Sequence, residues 1–146
     1  DNDLAEGRYR VADKPIALTD IRAPIFAGGT LRDHVAPWRS VYKIHLLTDT
    51  DVTFLLATGG HNAGIVSEPG KNGHSYQVLS KSKEERYEDP DAWMASTPRR
   101  DGSWWPEWVA WLRARSGIPV APPKTGGAAA GLTPLCNAPG TYVLQK

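Results

Sequence analysis

An aspartate at position 33 and a histidine at 61 each stand just past the end of an apolar, strand-like run, residues 23–30 (APIFAGGT) and 52–57 (VTFLLA) respectively. A histidine near neutral pH takes a proton from a nucleophile and returns it to a leaving group, provided a partner fixes its tautomer and stabilises the imidazolium. A carboxylate on the neighbouring strand's rim supplies that partner, because adjacent strands lie only about 5 Å apart. Asp33 and His61 thus have the types and spacing of the last two members of a nucleophile, acid and histidine triad. Taken alone, His61 in Gly-Gly-His reads better as a turn residue, and Asp33 in Arg-Asp-His as a helix cap. Their pairing across two strands is what favours chemistry. His34 reads as an exposed loop imidazole.

The elements that must hold the pair follow from hydrophobic spacing. Between the two runs Trp38, Val41, Tyr42 and His45 recur at helical intervals after Pro37, which suits a first turn because its missing N–H costs nothing there. One helix ending near Thr48 is expected, and with it a βαβ unit whose strands are parallel and whose open rim lies at their carboxyl ends. Ala27, Gly28 and Gly29 are expected to permit a sharp strand exit, and Gly59 and Gly60 a turn needing positive φ. Upstream, residues 7–11 and 16–18 read as a strand hairpin around Ala12, Asp13, Lys14 and Pro15. Downstream, residues 74–79 read as a strand, and 80–100 as a charged, solvated surface excursion with a helical turn over 91–95. A helix is predicted over 103–117, capped by Ser103 and stopped by a left-handed Gly117, with Trp105, Trp108, Val109 and Leu112 on one face. Residues 119–134, rich in Pro, Gly and Ala, read as flexible tail. The fold class is α/β, with a catalytic-domain portion over 1–118 and a tail over 119–146.

Composition narrows the function. Seventeen basic residues against sixteen acidic ones create no global field to draw in nucleic acid. No apolar run approaches the length of a membrane span, and one cysteine permits no internal disulfide, so a soluble cytoplasmic protein is expected. The chain opens on Asp1 without a Met and reads as a C-terminal fragment. Cys136 is rejected as nucleophile: it follows the histidine, lacks a preceding strand and has no glycine-flanked elbow. Ser40, Ser67 and Ser75 lack such an elbow too, and the four histidines show no metal-ligand spacing. Trp104, Trp105, Trp108 and Trp111 fall within eight residues, more than one buried stripe usually needs, so a partner or polymer surface competes with core packing and base stacking is least favoured.

Four stretches carry a family likeness. Residues 21–37 (IRAPIFAGGTLRDHVAP) continuing to Trp38, residues 58–66 (TGGHNAGIV), the Ser-Trp-Trp-Pro-x-Trp run at 103–108 and the Ala-Pro-Gly-Thr-Tyr-Val-Leu at 138–144 resemble polyhydroxyalkanoate synthases, the poly(3-hydroxyalkanoate) polymerase family, of class I type. The most specific signals are Asp-His-x-x-Pro-Trp and Gly-His-x-x-Gly at matching separation. The resemblance implies the C-terminal part of an α/β-hydrolase fold with a Cys-His-Asp triad. That triad polymerises (R)-3-hydroxyacyl-CoA with release of CoA, the thioester being substrate and no cofactor or metal being needed. His61 would activate a cysteine upstream of this chain, and Asp33 would either orient His61 or help deprotonate the 3-hydroxyl of the incoming unit. Without that cysteine the chain alone is expected to be inactive. The implied partners are the acyl-CoA and the growing polyester, at a granule surface, with a homodimer as a possible assembly. An intracellular acyl hydrolase or depolymerase of the same fold is the alternative enzyme. A non-catalytic granule-binding or partner-binding module is the alternative outside catalysis.

Overall fold

A computed structural model describes residues 2–146. The chain divides after Arg115 into two compact units, Ser116–Lys146 forming the second. In chain order the first holds β1 (Arg10–Val11), β2 (Lys14–Pro15), β3 (Ile25–Thr30), α1 (Trp38–Tyr42), α2 (Ile44–Leu47), β4 (Val52–Ala57), β5 (Ser75–Lys81), α3 (Pro90–Ser96), β6 (Arg99–Asp101) and α4 (Trp105–Arg113).

Strands β3 to β6 lie in sequence order in one mixed sheet. β3 and β4 pair parallel, Ile25 opposite Val52 through Thr30 opposite Ala57, so the predicted βαβ unit is present. β5 then returns antiparallel to β4, and β6 antiparallel to β5. The reversal puts the start of β5 and the end of β6 on the same rim as the carboxyl ends of β3 and β4.

β4 is buried at all six positions because it is covered on both faces. Phe54 and Leu56 point to one side, into a cluster with Trp38, Tyr42 and Trp93 from α1 and α3. Leu55 and Ala57 point to the other, with Tyr76, Phe26, Val78 and Trp104. A strand buried on both sides reads as a near-continuous apolar run, here VTFLLA with Thr53 as its one polar residue.

Several local expectations are corrected. The hairpin is shorter than predicted: its turn is Ala12-Asp13, both at positive φ, Pro15 lies within β2, and Leu18–Asp20 is a 3-10 turn. The crossover is two short helices broken at Lys43 instead of one. Neither Gly28 nor Gly29 has positive φ; a Cβ on Gly29 would stand 2.9 Å from the Trp38 Cβ, so the small residue lets α1 sit on β3. The segment 80–100 is more than a solvated face, since it carries α3, buried Trp93 and most of β6. Asp89 caps α3 through the Asp91 N–H, at 2.9 Å. Helix α4 is shorter than predicted, and Gly117 is not left-handed. Its core-facing residues are Trp104 and Trp111, whose rings meet Phe26 at 6.4 and 5.7 Å, whereas Trp108, Val109 and Leu112 are exposed.

In the second unit a bridge joins Gly127 to Leu132 around a 3-10 turn at Ala128–Ala130, and another such turn spans Tyr142–Leu144. Cys136 is exposed there. Among the described residues no helix is long and apolar enough to cross a membrane.

Candidate functional site

β3 ends at Thr30 and the chain turns at once. The Leu31 and Arg32 N–H groups continue the ladder onto the carbonyls of Ala57 and Gly59, both at 2.9 Å, and the Asp33 N–H closes back on Thr30. This fixes the Asp33 backbone against β4's exit. Its carboxylate divides its acceptors: Oδ1 takes the N–H groups of Val35 and Ala36 at 2.8 and 2.9 Å, and Oδ2 lies 2.8 Å from His61 Nδ1. The capping and the pairing readings of Asp33 are therefore both realised, one on each oxygen. The Ala36 amide, then the His61 and Val35 contacts, hold the carboxyl down to about 2 against the opposing pull of desolvation.

His61 follows a turn opened by Gly59 at φ +122. The residues after it wind through one helical turn, with Gly64 N–H on the Gly60 carbonyl at 3.0 Å and Val66 N–H on Asn62 at 3.0 Å. The loop is then pinned from outside by the start of α4. The Trp104 indole N–H donates to the Gly64 carbonyl at 3.2 Å and the Trp105 indole to the Ile65 carbonyl at 3.0 Å. The Ser103 hydroxyl donates to Ser67, and also accepts the Trp105 N–H at 3.1 Å, as a cap would. These three positioning residues were not recognised as such from sequence. The available signal was four Trp in eight residues, two of them off the apolar stripe. An indole that caps a carbonyl has no periodicity to betray it.

With Nδ1 on the carboxylate, that nitrogen carries the proton and Nε2 is left as the acceptor. The Asp33 side chain is 8% exposed and that of His61 47%, so an ordered, sheltered acid holds a base that faces solvent. That arrangement can take a proton from a thiol, hydroxyl or water and stabilise the resulting imidazolium. Among the described residues no thiol or hydroxyl is hydrogen-bonded to His61. Ser67 and Ser75 are buried, the latter bonded to Thr58; Ser40 and His34 are exposed. Among the described residues no group of three or more His, Cys, Asp or Glu could hold a metal ion.

No family model matches the chain. It is similar over 93% of its length, at 38% identity, to poly(3-hydroxyalkanoate) polymerase 2 of Ectopseudomonas oleovorans. Over 96% it is 34% identical to the poly(3-hydroxyalkanoate) polymerase subunit PhaC of Cupriavidus necator, and over 99% it is 35% identical to the poly(3-hydroxyalkanoate) polymerase of Methylorubrum extorquens. The chain spans only 23% of the length of each of these relatives.

Proposed function

We propose that this chain, homologous over nearly its whole length to a segment of poly(3-hydroxyalkanoate) polymerases, is the part of such an acyltransferase that supplies the acid and the base of its reaction centre. The observation that carries the reading is the 2.8 Å contact between Asp33 Oδ2 and His61 Nδ1. The β3–α1–α2–β4 unit, with acid after one strand and histidine after the next, fits the last part of an α/β-hydrolase core.

In this reading the rest of the polymerase contributes a cysteine. His61 Nε2 takes the thiol proton, and the thiolate attacks the thioester carbonyl of an (R)-3-hydroxyacyl-CoA. The carbon–sulfur bond to CoA breaks and the CoA thiolate leaves with the proton from His61. The 3-hydroxyl of the next unit, deprotonated by the same imidazole, then attacks the acyl-enzyme carbonyl; the ester bond forms as the cysteine sulfur–acyl bond breaks, and the released cysteine thiolate takes the proton back from His61. Asp33 orients His61 and stabilises its charged form. A carboxylate already accepting three hydrogen bonds and held near 2 is a poor base for an alcohol, which favours this role over direct deprotonation of the 3-hydroxyl. Thioester exchange of this kind needs no resident cofactor or metal. The setting is cytoplasmic, at the polyester granule surface.

The decisive experiment is His61→Ala in the full-length protein, read as CoA release and as granule association. Lost turnover with retained association supports the reading. Unchanged turnover overturns it.

A further inference from the structure

The same rim of the sheet carries a second concavity that the reaction centre does not use. Between the turn before β5 and the end of β6 lies a cavity of about 200 Å³ lined by Lys71, Asn72, Gly73, His74, Arg99 and Asp101. Asn72 and Gly73 form a turn in which Gly73 has φ +85. The His74 N–H closes this turn towards the Lys71 carbonyl, and among the described residues the backbone N–H groups of Asn72 and Gly73 have no protein acceptor. Successive free N–H groups on such a turn make an anion-binding hollow. Two cationic side chains border it. Lys71 is partly engaged by Glu68 at 3.3 Å, whereas Arg99 has neither an ion-pair nor a hydrogen-bond partner among the described residues. Asp101 is the opposing charge in the lining and is not within ion-pair distance of Arg99.

The position of the cavity suggests its ligand. Ser75, the residue after His74, is tied to Thr58 by the Thr58 N–H at 2.8 Å and by its own N–H on Thr58 Oγ1 at 3.0 Å, three residues before His61. The Gly102 N–H closes the far side on the His74 carbonyl at 2.8 Å. The cavity is thus one to two strand spacings along the rim from the exit of β4, about 5–10 Å. We propose that this cavity is an anion subsite that binds a phosphate group of the CoA portion of the substrate, Arg99 and Lys71 pairing with the phosphate and Asn72 and Gly73 donating backbone N–H groups. The assignment to CoA rests on the acyl-CoA reading above; the anion chemistry does not.

The test is calorimetric binding of CoA, pantetheine and inorganic phosphate to the full-length protein and to its Lys71→Gln, Arg99→Gln and Arg99→Lys variants. All three substitutions fall on exposed side chains. We expect Arg99→Gln to weaken CoA about tenfold, the loss of one charge-assisted hydrogen bond, with Arg99→Lys regaining part of it and pantetheine, which lacks the nucleotide phosphates, unaffected. The acyl-CoA KM should rise by a similar factor at constant kcat. Equal CoA affinity in wild type and both glutamine variants would overturn the subsite while leaving the role of His61 standing. Binding of inorganic phosphate without binding of CoA would overturn the substrate assignment. Absence of CoA binding by the wild type would overturn it together with the reading beneath it.

Discussion

Gly59 and Gly64 touch backbone to backbone: a Cβ on Gly59 would stand 2.8 Å from both the nitrogen and the Cα of Gly64. The contact closes the loop that carries His61. On its other side Gly64 faces Thr30, at the end of β3, so one small residue joins the exits of both site-bearing strands.

Gly64→Ala should therefore be costly. Its Cβ would meet Thr30 Cγ2 at 2.5 Å and the Thr58 carbonyl oxygen at 3.0 Å. Destabilisation of about 1–3 kcal/mol is expected, as for other overpacked sites, read from the urea midpoint. Gly117→Ala, with open space around it, is the matched control and should be close to neutral.

Asp33→Asn keeps an oxygen to accept the Val35 and Ala36 amides but presents the wrong partner to His61. In the full-length protein we expect CoA release to fall by about four orders of magnitude, the loss seen when a triad aspartate becomes asparagine, with a lower thermal midpoint because the stabilising charge is lost with the carboxylate. A loss below tenfold would show that Asp33 does not govern the imidazole.

The pH dependence of stability has two parts. Burial, with Lys81 nearby, holds His45 down to about 4 from 6.5, its ring packed 4.6 Å from that of Tyr42 and its Nε2 without a partner. Between those values the unfolded chain binds more protons, so stability falls as pH drops from about 6.5 to about 4. Asp33 acts at lower pH: its carboxylate is stabilising above 3.8, and that contribution is lost as pH falls through about 2. Urea midpoints across pH 7 to 4 should decline in the wild type and flatten in His45→Phe.

Trp105→Phe removes the N–H that holds the Ile65 carbonyl, together with part of the ring, and Trp108→Phe controls for the loss of ring. We expect a turnover loss of about tenfold, in line with one hydrogen bond, at nearly unchanged KM. Trp108→Phe, on the exposed side of α4, should leave both constants in place.

Trp93→Ala should destabilise the chain by about 3–5 kcal/mol, because its ring lies 5.2 Å from Phe54 and 5.7 Å from Tyr42 in the core. Thermal or urea unfolding measures this directly. A shift near zero would restore the view of that region as mere surface.

The parts legible in the sequence were those decided locally or by one strand pair. Residues 52–57 are apolar except for Thr53, and Asp33 and His61 each follow a mainly apolar run, so their meeting needed only the βαβ rule. Trp93 was hidden because the charges on either side of it dominate the local pattern, while its burial depends on Tyr42 and Phe54, 51 and 39 residues away. β6 is three charged residues, Arg99–Asp101, held by a backbone ladder that leaves no hydrophobic trace. The face of α4 was misjudged because Trp105 spends its polar end on a loop carbonyl, and the core side is chosen by Phe26 across the sheet.

The parallel register of β3 on β4, Thr30 beside Ala57, meters the separation of acid and base in whole residues. A single-residue slip would move one partner by about 3.3 Å and turn its strand's side chains to the opposite face. The acid–base distance therefore cannot drift by small degrees through changes in that ladder. Gradual adjustment is left to the loops beyond the strand ends, so variation that tunes the reaction should concentrate in residues 31–36 and 58–66, with the strands acting as a fixed ruler.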